Sequence, residues 1–113
     1  MEDHEITTGA LEWDYIPEWK GNDKKENPIV AHLRLLTTRE TNRCINITGT
    51  GPDINKEKVF EYGVVSISGL KAGDKELTTA KQVLDTAGYY GLFQELWIEI
   101  LHRNNLAEQD SKN

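Results

Sequence analysis

Apolar and polar residues alternate along two early stretches of the chain. Leu11, Trp13 and Tyr15 are separated by Glu12 and Asp14, the period of a strand with one wet face. Pro17 closes that stretch, because it has no N–H for a ladder and restricts the residue before it. Residues 20–28 form a polar loop rich in turn formers. Beyond it, Ile29, Ala31, Leu33 and Leu35 share one face, with His32 and Arg34 on the other. An antiparallel pair of these two segments is the economical arrangement.

The pattern then changes to helical spacing. Thr37 and Glu40 form a capping-box pair that opens a short helix from Thr38 to about Cys44. Residues 48–52 break the chain, and Asp53 is the expected cap of a second helix carrying Val59, Phe60 and Tyr62, stopped by a left-handed Gly63. Val64 to Ser68 is a β-branched run that suits a third short strand, followed by a turn with a polar tip. Thr79 and Gln82 make a second capping box, and Ala80, Val83, Leu84 and Ala87 give that helix one apolar face before Gly88. In the last helix Tyr89, Leu92, Phe93, Leu96, Trp97, Ile100 and Leu101 recur at helical spacing. Gln94, Glu95, Glu99 and His102 are expected to turn outward. The fold class is α+β: a two-stranded antiparallel element, extended by a third strand at 64–68, packed against four helices, with a mostly helical C-terminal half. One domain is expected over 10–106, between a flexible N-terminus at 1–9 and a polar tail at 107–113.

With 113 residues, one domain able to bury its own core is the natural division. The net charge of −6 opposes binding to a nucleic-acid backbone, which needs massed Lys and Arg. The single cysteine, Cys44, cannot form an intramolecular disulfide, which suits a reducing compartment. The acidic opening Met1-Glu2-Asp3-His4-Glu5 is unlike a signal peptide, and no apolar run reaches membrane-spanning length, so a cytosolic, membrane-free location is expected.

No catalytic, metal or cofactor constellation emerges. Glu99 and His102 form one Glu-x-x-His pair, where a di-iron bundle needs two copies and further carboxylates. His4, His32, His102 and Cys44 lack metal-ligand spacing. Gly49-Thr50-Gly51 is too short to cradle a phosphate and reads as a turn. The aromatic residues carry more information, because Trp and Tyr dominate binding hot spots. Trp13, Tyr15 and Trp19 crowd the N-terminal segment; Trp13 and Tyr15 are expected to pack on the last helix and Trp19 to form an exposed contact. Tyr89, Tyr90, Phe93 and Trp97 are the matching candidates on the last helix.

Two sets of motifs resemble a known family. Tyr15-Ile16-Pro17-Glu18-Trp19-Lys20-Gly21-Asn22, then Asn27-Pro28-Ile29-Val30, then Leu35-Leu36-Thr37-Thr38-Arg39-Glu40, is one set. Val65-Ser66-Ile67-Ser68-Gly69-Leu70, Gly73 to Ala80, Val83-Leu84, Asn105-Leu106 and Lys112-Asn113 is the other. Together they resemble the small tail assembly chaperones of long-tailed bacteriophages and cover most of the chain. The resemblance implies a non-enzymatic role in tail morphogenesis, in the host cell cytoplasm. Its partners would be the tape-measure protein, the tail-tube protein or both, and a homo-oligomer is compatible with it. A structural virion component of the tail or head–tail region is the alternative. A small acidic DNA mimic that inhibits a host nuclease ranks lower, since its carboxylates are scattered among Lys and Arg.

Overall fold

In the computed structural model, which describes residues 11–48 and 51–112, the alternating stretches become β1 (Glu12–Tyr15) and β2 (Val30–Arg34). They pair antiparallel with Trp13 opposite Leu33 and Tyr15 opposite Ala31. The expected third strand, β5 (Val64–Ser68), pairs antiparallel with the other side of β2, so the sheet order is β1-β2-β5. His32 faces Ser66 while its neighbour Leu33 faces Val64, which makes Val65 an extra, bulged residue. The bulge explains why Val64 and Ile67, three apart, are both buried while Val65 between them is exposed.

Both capping boxes are made. Thr37 Oγ1 accepts from Glu40 N–H at 3.1 Å and a Glu40 carboxylate oxygen accepts from Thr37 N–H at 2.9 Å, opening α1 (Thr38–Cys44). Thr79 and Gln82 do the same for α3 (Ala80–Leu84), at 3.2 and 3.1 Å. Each such cap is worth about 1 kcal/mol. Glu40 also receives both terminal nitrogens of Arg34, at 3.0 and 2.6 Å, which ties the end of β2 to the start of α1.

Three expectations are corrected. The stretch read as a chain break is a hairpin of β3 (Ile45–Thr48) and β4 (Gly51–Ile54); the loop residues Gly49 and Thr50 lie outside the described residues. Asp53 therefore sits in a strand. The cap of α2 (Lys56–Gly63) is Asn55, whose side-chain oxygen accepts from Lys58 N–H at 3.1 Å. Gly63 is not a left-handed stop, since α2 runs directly into β5 and Gly63 is not among the positive-φ glycines. A Cβ there would stand 2.5 Å from Ile100 Cδ1, so the glycine is needed for close packing.

A small hairpin of β6 (Lys71–Ala72) and β7 (Lys75–Glu76) forms the polar-tipped turn. The last helix, α4 (Tyr90–Lys112), continues past the expected stop at Asn104–Asn105 through most of the stretch read as a polar tail. The expected flexible segment at 1–9 lies outside the described residues. Helices α2 and α4 cover one face of the sheet, and the core there includes Ala31, Leu33, Val59, Phe60, Leu92, Leu96 and Ile100. Phe60 meets Phe93 edge-on at 5.1 Å.

Candidate protein-binding surface

Helix geometry gives α4 three sides. Leu92, Leu96 and Ile100, four apart, form the core side and are fully buried. Gly91, Glu95 and Glu99 form a flank that meets the N-terminal segment. Contrary to expectation, Glu95 and Glu99 are not turned out to solvent. One Glu95 oxygen accepts from Tyr15 O–H at 2.6 Å and Glu18 N–H at 2.7 Å, and the other accepts from Trp19 N–H at 3.0 Å. Glu99 accepts from Trp13 Nε1–H at 3.1 Å and pairs with Arg103, whose guanidinium lies 4.7 Å from the Trp13 ring centre. Burial and then the Glu95 contact raise the Tyr15 hydroxyl far above its ordinary value of 10.0.

This flank is a clasp, and the loop that follows is pinned to it. The backbone turns back through two left-handed residues, Lys20 (φ 53°) and Gly21 (φ 73°), inside a 3-10 segment (Trp19–Lys24). Asn22 is fully buried there. Its amide donates to Pro17 C=O at 2.8 Å and Ile29 C=O at 3.0 Å, and its oxygen accepts from Ile29 N–H at 2.6 Å. The Tyr-Ile-Pro-Glu-Trp-Lys-Gly-Asn motif thus specifies local structure. Trp19, expected as an exposed contact, is half-buried: its ring lies 5.5 Å from that of Tyr89 and over Gly91, where a Cβ would come within 3.0 Å of it. Trp13 and Tyr15 pack on the last helix as expected.

The third side of α4 faces outward and is unlike the polar face of an ordinary surface helix. Tyr90, Gln94, Trp97, Ile98 and Leu101 follow one another at helical spacing. Tyr90 is 66% and Ile98 51% exposed. Trp97 is half-buried, donating to the Gln94 side chain at 3.3 Å with the Lys56 ammonium 5.4 Å from its ring centre. Tyr89 is half-buried with its hydroxyl on Lys71 C=O, and Phe93 is buried, so these two are less accessible than Tyr90. At one end of the row, Tyr90 and Phe93 edge a groove of about 280 Å³ with Val83, Leu84 and Ala87, and Glu57 at its rim. At the other end Leu101 lines a depression of about 490 Å³ with Leu36, Ile45 and Ile54. None of the ten residues lining that depression is charged.

Sequence reasoning missed Ile98, Ile45 and Ile54. A signal for Ile98 exists: it lies about 200° around the helix from Leu96, opposite the core. The cross-strand pair Ile45–Ile54 could be read only once the hairpin was known.

Cys44 lines the depression but is buried, and that burial pushes its thiol up, away from the reactive thiolate. Among the described residues no group of three or more His, Cys, Asp or Glu side chains is placed to hold a metal ion. No helix among them is long and apolar enough to cross a membrane. No protein-family model, curated protein or solved structure matches this chain.

Proposed function

We propose that this chain is a non-catalytic morphogenesis factor of phage tails, similar to a tail assembly chaperone. It covers apolar helical segments of the tape-measure protein, the tail-tube protein or both in the host cell cytoplasm before they polymerise. The observation that supports this reading is the uncharged outer side of α4, running from Tyr90 through Trp97 and Ile98 to Leu101 and the Ile45–Ile54 pair. A partner that seats an apolar stripe there meets no charged side chain of α4 itself, with Lys56 beside Trp97 and Glu57 beside Tyr90 at its border, and charge depletion with aromatic enrichment characterises the centres of protein interfaces. An amphipathic helix laid along a groove is the matching mode. The resemblance-bearing motif around Trp19 is built into the clasp, so on this reading it serves the chain's own fold and leaves binding to the outer side of α4.

The test is co-expression with a tape-measure or tail-tube protein from the same genome, followed by purification. Co-elution is expected, and Tyr90→Ser with Ile98→Ser should abolish it without changing the melting temperature. A chain that binds neither protein, or binds both equally well after those substitutions, refutes the reading. Recovery of the chain in purified particles would replace it with a structural virion role.

A further inference from the structure

The sheet has a second surface with a different chemistry. Leu35 N–H donates to Leu11 C=O at 2.8 Å, which fixes the phase of the β1–β2 ladder. In an antiparallel pair hydrogen-bonded and non-bonded positions alternate, so the main-chain groups of Trp13 and Tyr15 point toward β2. Those of Glu12 and Asp14 point away from it. Among the described residues no strand pairs with that outer edge, since the order β1-β2-β5 leaves β1 terminal. An edge of this kind is a template for one more strand.

The side chains on the same edge select what can be added. Glu12 and Asp14 project on the sheet face away from the helices, with side chains 57% and 68% exposed. His32 sits between them, its ring nitrogens 2.6 Å from Asp14 and 2.8 Å from Glu12. Two carboxylates against one imidazole leave the trio net negative whether His32 is protonated or neutral. A second copy of the chain adding antiparallel at this edge would bring Glu12 and Asp14 against the same residues of its neighbour, and like charges directly opposite are unfavourable. An extended segment with Lys or Arg at alternate positions would instead place its cations over Glu12 and Asp14 while its main chain bonds theirs.

We propose that the outer edge of β1 is a docking site for a basic extended segment of a partner protein, bound by strand addition. The site is separate from the outer side of α4 and stands or falls independently of the tail-assembly reading.

The probe is a labelled peptide of alternating Lys and Val, with a Glu–Val peptide of the same length as control, titrated by fluorescence anisotropy at low salt against the whole chain. The Lys–Val peptide is expected to bind and the Glu–Val peptide is not. Asp14→Pro removes an outward donor without taking a bond from the ladder to β2, so it should weaken binding about tenfold or more. The pair Glu12→Lys with Asp14→Lys should exchange the two peptides' affinities, and it carries the test if the proline variant does not fold. Hydrogen exchange on the unmodified chain reads the same edge directly: the Glu12 and Asp14 amides should exchange freely alone and slow when the Lys–Val peptide is added. Equal binding of both peptides, no binding of either, or undiminished binding by a folded Asp14→Pro variant overturns the proposal. So does protection of those two amides in the free chain, and protection that grows with protein concentration assigns the edge to a second copy instead.

Discussion

Glu95→Gln tests the clasp without changing its shape. Both carboxylate oxygens are occupied, one by Tyr15 O–H and Glu18 N–H and the other by Trp19 N–H. A carboxamide has one oxygen and one NH2, so at least one former donor must face another donor. In the least damaging orientation the oxygen keeps Tyr15 and Glu18, and the NH2 opposes Trp19 N–H. That orphaned amide costs about 1–3 kcal/mol, and the two remaining bonds each weaken by roughly 0.5–1 kcal/mol once the charge is gone. Partial access of water to Glu18 lowers the sum, leaving about 2–3 kcal/mol. For a domain of this size that is a fall in melting temperature on the order of 10 °C. Urea denaturation followed by Trp fluorescence measures the first quantity and thermal scanning the second. Alkaline titration at 295 nm adds an independent readout. The Tyr15 hydroxyl, now held far above 10.0, should move back toward it when the Glu95 charge is removed, although burial still holds it partly up. A loss under about 0.5 kcal/mol, with Tyr15 ionisation unmoved, would mean the clasp is not what holds the N-terminal segment to α4.

Gly63→Ala should destabilise by about 1–2 kcal/mol, since the clash with Ile100 costs about 1–3 and the gain in helix propensity returns up to about 1. Adding Ile100→Val removes Cδ1, the nearest atom at 2.5 Å, but keeps γ carbons at 2.8 and 2.9 Å, so a double-mutant cycle by urea denaturation should show a partial favourable coupling of about 0.5 kcal/mol. Asn22→Ala leaves two carbonyls and one N–H unpaired in a buried loop and should cost about 3 kcal/mol or more; Asn22→Asp, which turns a second oxygen toward those carbonyls, should be no better by the same assay. Arg34 holds Glu40 at about 2, below its ordinary 4.5, so this group contributes stability above pH 4.5 that is lost as pH falls toward 2. Allowing for partial solvent access, the contribution is about 1–2 kcal/mol, and Glu40→Gln should flatten the stability–pH curve over that window.

What the sequence revealed and what it hid divide by range. The two alternating strands, both capping boxes and the strand at 64–68 depend on residues within a few positions of one another, and each was legible. The Val65 bulge was not, because it is set by the phase of β2 against β5, more than thirty residues apart. The hairpin at 45–54 was hidden because Gly49, Gly51 and Pro52 in the sequence read equally well as a chain break, although Gly51 and Pro52 lie in β4. Gly63 looked like a helix stop because the chain leaves the helix there, while its cause, Ile100, is distant in sequence. The clasp was the largest omission. Glu95 on a helical wheel is an ordinary polar residue, and nothing within ten residues announces that its three donors lie 76 to 80 positions earlier.

The clasp also accounts for the outer side of α4. Charged residues on a surface helix usually guard its solvent face, yet two of the carboxylates on this one are turned to a flank, where they bind Trp13, Tyr15 and the Glu18–Trp19 backbone. Removing them from the solvent side leaves Tyr90, Gln94, Trp97, Ile98 and Leu101 as a run with no charge of its own. The net charge of −6 then acts elsewhere, including the β1 edge at Glu12 and Asp14. Such a distribution keeps the electrostatic repulsion between copies on the charged regions and leaves an uncharged run on α4. The same contacts that half-bury Trp13, Tyr15 and Trp19 against one flank of α4 thereby leave Tyr90 and Ile98 exposed on another.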